Sequence, residues 1–128
     1  MSSFSSVQSH VDTKGITSKV RLEETISGHL AELNGKFKLR VTEVTIAPDG
    51  RIGMHHHVGP GVRYVMSGKV TFVEGGTTNT YSAGDYFYES GNLAHAAYNH
   101  TNAPLRIAFF EVLPADWAGP TVIPPKAY

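Results

Sequence analysis

Three consecutive histidines, His55, His56 and His57, lie in the middle of the chain, and another histidine, His95, follows in its second half. Histidine is the commonest protein ligand for metal ions. On an extended strand alternate side chains point to opposite faces, so His55 and His57 share one face and His56 takes the other. His95 is the natural third member of the set. Because three histidine ligands leave open positions on a metal ion, the sequence predicts a metal site at which chemistry is possible.

The composition limits the kinds of function that the chain can have. It has 128 residues, 41% hydrophobic content and a formal net charge of zero, which predicts one globular domain with neither a nucleic-acid nor a membrane partner. Cysteine is absent, so a transition metal would need nitrogen and oxygen ligands. No apolar stretch approaches the roughly 18 residues of a membrane span, and the N-terminus does not resemble a secretory signal. We therefore expect a cytoplasmic protein.

From Phe37 onward the sequence is typical of successive β-strands. The run from Phe37 to Val41 alternates apolar and charged residues, which predicts a half-buried strand with its apolar side chains toward the core. The alternation then shifts by one residue, which predicts a bulge near Thr42 and Glu43. Residues 20–34 combine a helical spacing of apolar residues with turn signals and remain ambiguous. Short strands separated by turn residues indicate an all-β sandwich or barrel.

The chain divides into three predicted segments. Residues 1–19 are rich in serine and have no apolar period, which predicts a flexible N-terminal arm or, alternatively, an edge strand that becomes ordered on dimerisation. Residues 20–113 form the predicted barrel. Residues 114–128 contain four of the seven prolines, which excludes a helix or a central strand and predicts an extended tail that packs on the barrel or on a partner subunit.

Two stretches of the sequence resemble the motifs of the cupin family. Gly53 to His57, followed by Tyr64 to Gly68, resembles the first motif, which pairs two histidines two positions apart with a Tyr-Val-x-x-Gly hairpin. Gly84 to Asn99 resembles the second motif, with its opening Gly-Asp, its histidine and its asparagine in register. The resemblance covers residues 53–99. It implies an all-β fold, the cupin double-stranded β-helix or jelly-roll barrel, with a metal near one mouth of the barrel.

The first motif departs from the family pattern at Gly61, where cupins usually carry a glutamate ligand. The resemblance then implies either a three-histidine centre with water or substrate in the other positions, or a degenerate site that binds no metal. Glu89 and Glu111 are candidates to replace the missing ligand. Imidazole ligands are compatible with one divalent iron, manganese, zinc, nickel, cobalt or copper ion per chain.

Arg63 is the candidate for substrate binding. Strand parity places it on the same face as Gly61, where its guanidinium would bind a carboxylate or enolate in bidentate fashion. A bulge at residues 59–61 would instead turn Arg63 to solvent. His56 and His100 have the wrong parity for the metal site and are predicted to be bystanders.

The resemblance implies a metal-dependent enzyme that acts on a small organic molecule, and cupins of this kind are commonly homodimers. The first interpretation is a dioxygenase or other oxidoreductase that acts on a small organic acid, thiol or diketone. An isomerase, lyase or cyclase is the alternative reaction class. A non-catalytic barrel that binds a small ligand and a purely structural barrel are the remaining interpretations.

Overall fold

The computed structural model describes residues 10–124, which form nine β-strands and no helix, so no helix in this part of the chain is suited to crossing a membrane. The strands follow the order β5-β4-β7-β2-β8-β3-β6, and both β1 and β9 pair with β2. The predicted all-β barrel is confirmed. In chain order the strands are β1 (Thr13–Thr25), β2 (Phe37–His57), β3 (Gly61–Ser67), β4 (Lys69–Glu74), β5 (Thr77–Ser82), β6 (Tyr86–Glu89), β7 (His95–Tyr98), β8 (Leu105–Pro114) and β9 (Val122–Ile123).

β2 organises the barrel because its 21 residues pair with different neighbours along their length. Residues 37–46 pair with β8, and residues 51–55 pair with β7. The two halves meet at a bend where Asp49 has a positive φ of 65°. The buried Asn99 amide donates to the carbonyl groups of Ile46 and Ala47 and so holds this bend. The last residues of β2 therefore place the side chains of His55 and His57 in the barrel interior.

An apolar core fills the space between the strands. Many of its side chains have no accessible surface, and burial of an aliphatic side chain contributes about 1.5–3 kcal/mol each. This core supports the strands that carry the histidines. Its members are Val44, Ile46, Ile52, Val65, Val70, Phe72, Phe87, Ala97, Leu105, Ile107 and Phe109.

β1 stands where the serine-rich sequence predicts a flexible arm over residues 1–19. It pairs antiparallel with β2, from Thr13 opposite Ile52 to Thr25 opposite Lys38. The prediction of flexibility is therefore wrong for residues 13–19, and residues 1–9 lie outside the described residues. Backbone hydrogen bonds to β2 order this segment. Nearly all of its side chains are exposed, so the strand needs no alternation of apolar residues, and the sequence shows none.

Over residues 37–41, β2 turns a different face inward from the one predicted. Lys38 and Arg40 are only 9% and 7% exposed, whereas Leu39 is 46% exposed. The register with β8 is continuous over residues 37–46, so the bulge predicted near Thr42 and Glu43 is absent from that pairing. A register shift occurs instead in the pairing of β2 with β1, between Val20 and Leu22 of β1.

Two groups of partners make the inward charges tolerable. Glu23 of β1 pairs with both Lys38 and Arg40. Lys38 also donates to the carbonyl oxygen of Trp117, and Arg40 to that of Gly119, each at 2.6 Å. Both carbonyls belong to the tail. The inward face of this part of β2 was therefore predicted wrongly because its charged side chains are paired with residues far away in the sequence.

The tail packs on its own barrel as far as residue 124. Val122 and Ile123 of β9 pair with His57 and His56 of β2. Thr121 donates its hydroxyl to Glu111 on β8. The tail therefore borders the interior beside the histidines, and residues 125–128 lie outside the described residues.

Candidate metal centre

The three histidines predicted as ligands meet inside the barrel. His55 on β2 is the cross-strand partner of His95 on β7, and His57 follows two residues after His55. All three are at most 2% exposed. Nε2 of His55 lies 3.1 Å from Nε2 of His57, a separation that suits two nitrogens each about 2.1 Å from one metal ion.

The outer nitrogens of His55 and His57 are held by acceptors. Nδ1 of His55 donates to the carbonyl oxygen of Gly53 at 2.6 Å, and Nδ1 of His57 donates to Glu111 at 3.1 Å. Burial lowers the pKa of His55 to about 4, so its ring is neutral at pH 7 and its single hydrogen is on Nδ1. A neutral His57 has the same tautomer. The two Nε2 atoms then face each other with bare lone pairs, and a shared cation would relieve this contact.

His95 lacks hydrogen bonds on both ring nitrogens within residues 10–124. Burial lowers its pKa to about 3, so the ring is neutral. Nδ1 lies 3.5 Å from a carboxylate oxygen of Glu74 without hydrogen-bond geometry, and Nε2 lies 3.2 Å from Glu89. Buried polar atoms without partners are costly. A metal ion bound at Nε2 would satisfy one of them.

Glu89 joins the histidines to form a set of four buried groups. Its Oε1 lies 3.4 Å from Nε2 of His57, and one ligand atom from each of the four side chains lies within 4.8 Å of the others. Three imidazoles and a carboxylate are a donor set that divalent transition metals accept. The cluster of His55, His57, Glu89 and His95 could therefore hold a metal ion.

Of the two acids predicted as replacements for the one missing from position 61, Glu89 is the one that lies among the histidines. Gly61 lies between its cross-strand partners Glu89 on β6 and Glu111 on β8. A Cβ atom at Gly61 would overlap the carbonyl oxygen of Phe110 and approach Nη1 of Arg63 within 2.5 Å. Position 61 thus has no room for a glutamate, but the neighbouring strand supplies a carboxylate that reaches the histidines.

Arg63 occupies the space beside Gly61 and is fully buried. Its Nε donates to Glu89 at 2.5 Å, and its Nη2 lies 3.5 Å from Glu111. The guanidinium carbon lies 4.1 Å from the centre of the Phe109 ring. The alternative that Arg63 faces solvent is therefore wrong. With two carboxylates as partners, Arg63 has the geometry of an internal counter-ion, and its binding of substrate stays a prediction.

Glu111 connects the histidine cluster to the tail. It accepts hydrogen bonds from His57 and from the hydroxyl of Thr121. Burial acts to raise the pKa of Glu111, but the hydrogen bond from His57 and the charge of Arg63 outweigh it, and the net pKa is lowered. Glu111 is therefore ionised at neutral pH and lies behind His57 rather than among the converging nitrogens.

A cavity of about 350 Å³ lies next to the cluster. Phe109 and Glu111, which both contact His57, form part of its wall. A small organic molecule therefore has room beside the histidines. The other apolar residues that line the cavity are Ile16, Val20, Val44, Ile52 and Val122.

The predicted bystander histidines lie outside the cluster. His56 pairs with Ile123 at the end of β2, and the exposed His100 stacks on Tyr98 with ring centroids 5.4 Å apart. Sequence parity therefore separated these residues correctly from His55, His57 and His95.

Several solved structures share this fold at low sequence identity. The polyketide cyclase RemF from Streptomyces resistomycificus is 17% identical with a TM-score of 0.64, over 95% of this chain and 83% of that chain. KdgF from Halomonas sp. is 20% identical with a TM-score of 0.59, over 78% and 84%. A Klebsiella pneumoniae protein with a double-stranded beta-helix domain is 19% identical with a TM-score of 0.59, over 92% of each chain. These likenesses show the fold alone.

The family assignment comes from the sequence comparison. A search of curated proteins gave no match. Residues 42–112, which are more than half of the chain and include all four residues of the cluster, match the family model of the cupin domain. The resemblance seen in the two motifs is thereby confirmed, and the chain belongs to the cupin family as a small cupin-domain protein.

Proposed function

We propose that this cupin is a metal-dependent enzyme that acts on a small organic molecule held in the cavity beside the histidine cluster. The observation that carries the proposal is the convergence of three buried imidazoles and one carboxylate, in which the Nε2 atoms of His55 and His57 face each other 3.1 Å apart. His55, His57, His95 and Glu89 would hold the metal. When bound, the metal would supply a Lewis acid or an oxygen-activating centre.

Charge balance supports a divalent cation at this position. The buried groups are the carboxylates of Glu89 and Glu111 and the guanidinium of Arg63. With neutral imidazoles the cluster has a net charge of about −1, and a divalent ion would change it to about +1. Such a centre would attract an anionic or deprotonated substrate.

The chain's own residues would orient the ligands and exclude water. The carbonyl of Gly53 fixes the His55 ring, and Glu111 fixes the His57 ring. Outer hydrogen bonds of this kind orient imidazole ligands and raise their basicity. Phe109 lies edge-on to His57 and also lines the cavity, so its ring would shield that side of the cluster from water.

The first reaction class that we propose is that of a dioxygenase or other oxidoreductase on a small organic acid, thiol or diketone. The mainly apolar cavity wall supports a substrate with an apolar body. The test is oxygen uptake by iron-loaded protein with a panel of such compounds, compared with His55→Ala protein. Uptake by the wild type alone supports the proposal, and no uptake with any compound or metal argues against oxidation.

Glu111 favours a second candidate, a cyclase or isomerase that removes a proton from an enolisable substrate. Its carboxylate is ionised and lies on the cavity wall, where it could accept a proton from a carbon next to a carbonyl. RemF, which shares the fold, is a polyketide cyclase. Deuterium exchange into a diketone in heavy water, lost in Glu111→Gln protein, would support this candidate. Absence of exchange would leave oxidation as the better proposal.

We also propose that the protein is a homodimer. A row of apolar side chains, all exposed except the half-buried Val41, crosses five strands, because each member is the cross-strand partner of the next. A contiguous apolar surface of this kind is typical of an interaction site. The row consists of Leu22, Val41, Phe110, Val62 and Tyr88.

A further inference from the structure

Two cations on the inner face of β2 share one carboxylate. Nζ of Lys38 lies 3.3 Å from Glu23, and Nε of Arg40 donates to the other oxygen of Glu23. Charged side chains that are this buried are almost always paired. The clasp, which we define as Glu23, Lys38 and Arg40, therefore has one positive charge in excess.

A further buried acid, Glu111, lies on the inner face beside the clasp. Glu111 is the cross-strand partner of Arg40, but it forms ion pairs with His57 and Arg63. Within residues 10–124 no ion pair joins Glu111 to the clasp, so the charge of Arg40 on the cavity wall is balanced by Glu23 and, at longer range, by the histidine centre.

Arg40 has a nitrogen available for a ligand. Its Nε binds Glu23 and its Nη1 donates to the carbonyl of Gly119 at 2.6 Å. For Nη2 no hydrogen-bond partner is found in residues 10–124. Because Arg40 lines the cavity, this donor is at the wall of a space that is large enough for a small molecule.

The remainder of the cavity wall is mainly apolar. The volume of the cavity, about 350 Å³, is more than twice the roughly 150 Å³ that holds one benzene ring in an engineered protein cavity. The cavity therefore has room for a ligand whose apolar part consists of one or two rings. The apolar side chains of the wall are Ile16, Val20, Val44, Ile52, Phe109 and Val122.

We propose that this cavity binds a small monoanion with an apolar body of one or two rings, and that Arg40 binds its carboxylate or enolate. Arg40 would compensate the negative charge locally, through the nitrogen that neither Glu23 nor Gly119 uses. In metal-free protein the net charge of about −1 at the histidine centre balances the clasp as a whole, so the match is local to Arg40. As a statement about substrate class, the inference rests on the proposed function, but binding by Arg40 does not itself require a metal. Arg40 lines the cavity, whereas Arg63 lies between two carboxylates, so Arg40 would be an anion-binding group in addition to the one predicted at Arg63.

The first experiment is calorimetric titration of metal-free protein with 2-naphthoate and with its neutral analogue 2-naphthamide. A charge-assisted hydrogen bond contributes about 1.5–3 kcal/mol, so naphthoate should bind about 10- to 100-fold more tightly than the amide. Arg40→Gln should abolish this preference. Arg106→Gln is the matched control, since Arg106 is an exposed arginine paired with Glu43, and it should keep the preference.

A second variant separates ligand binding from a purely structural role of the clasp. Glu23→Gln removes the negative charge of the clasp. The variant should therefore bind naphthoate more tightly than the wild type, and its affinity for naphthamide should be unchanged. If Arg40 and Glu23 only hold the tail in place, their replacement would lower the affinity for naphthoate and for naphthamide equally. That result, equal affinity for the two ligands in wild-type protein, or no binding of either would overturn the inference.

The metal-loaded protein distinguishes this inference from the proposed function. A preference for naphthoate that requires metal and persists in Arg40→Gln protein would mean that the metal binds the carboxylate, and the inference would be wrong. A preference that depends on Arg40 in protein that binds no metal under any condition would uphold the inference while the proposed function fails.

Discussion

Replacement of Arg63 by methionine should destabilise the metal-free protein much more than the metal-loaded protein. Arg63 is a buried counter-ion for Glu89 at 2.5 Å and for Glu111 at 3.5 Å. Methionine keeps an apolar contact with the Phe109 ring but leaves both carboxylates without that charge. The perturbation therefore acts mainly on the electrostatics of the centre.

The structure sets the size of the expected effect. Removal of one partner from a buried ion pair costs about 3–5 kcal/mol, so the free energy of unfolding of metal-free Arg63→Met protein should fall by about that amount. In the loaded protein the metal compensates Glu89, so the loss should be smaller. Each 1.4 kcal/mol of difference corresponds to about tenfold tighter metal binding by the variant.

The assay is urea unfolding of wild type and variant, with chelator and with a saturating divalent metal. Arg106→Met is the matched control, because Arg106 lies in an exposed pair with Glu43, and it should change stability by less than about 1 kcal/mol in both conditions. An equal loss with and without metal would refute the counter-ion role. No loss in either condition would instead favour Arg63 as a group that contacts only the substrate.

Three other predictions follow from the same geometry. Restoring the family's acid by Gly61→Glu should destabilise the protein by about 1–3 kcal/mol in urea unfolding, because a Cβ at position 61 overlaps the Phe110 carbonyl; a variant as stable as the wild type with unchanged metal content would contradict the steric argument. Burial lowers the pKa of His55 to about 4 and of His95 to about 3, so below about pH 6.5 the unfolded chain binds more protons than the folded one. The metal-free protein should therefore lose about 1.4 kcal/mol per pH unit for each of these histidines as the pH falls from 6.5 toward those values, with little dependence on them above 6.5; equally stable protein at about pH 5 and 7 in urea unfolding would show the rings to be accessible. Phe110→Asp, in the exposed apolar row, should convert the proposed homodimer into a folded monomer in light scattering coupled to size exclusion, and a monomeric wild type would contradict the proposed assembly.

Local rules were sufficient to predict the barrel and the meeting of the histidines. Turn residues at short intervals indicated an all-β fold, and the two motifs indicated the cupin arrangement that the family match confirms. Strand parity placed His55 and His57 on one face and His56 on the other. These features depend on residues close together in sequence or on spacing within a motif.

Cross-strand neighbours were beyond the reach of such rules. The sequence offered both Glu89 and Glu111 as replacements for the missing acid but could not choose between them. Glu89 reaches the histidines because β6 pairs with β3 and puts Glu89 opposite Gly61, a pairing that no local pattern encodes. The inward face of β2 was predicted wrongly because Lys38 and Arg40 find partners in Glu23 and in tail carbonyls far along the chain. An alternating pattern reveals two faces, but it does not reveal which face has partners for its charges.

The most direct test of the four-residue centre is metal content measured by mass spectrometry on untagged protein, expressed in minimal medium with one divalent metal at a time. Wild type and the control His56→Ala should each contain about one equivalent per chain. His55→Ala and His95→Ala should contain none, and Glu89→Gln should bind the same metal at least about tenfold more weakly. Wild-type protein without metal under every condition would contradict the account, and unchanged affinity in Glu89→Gln protein would reduce the centre to three histidines.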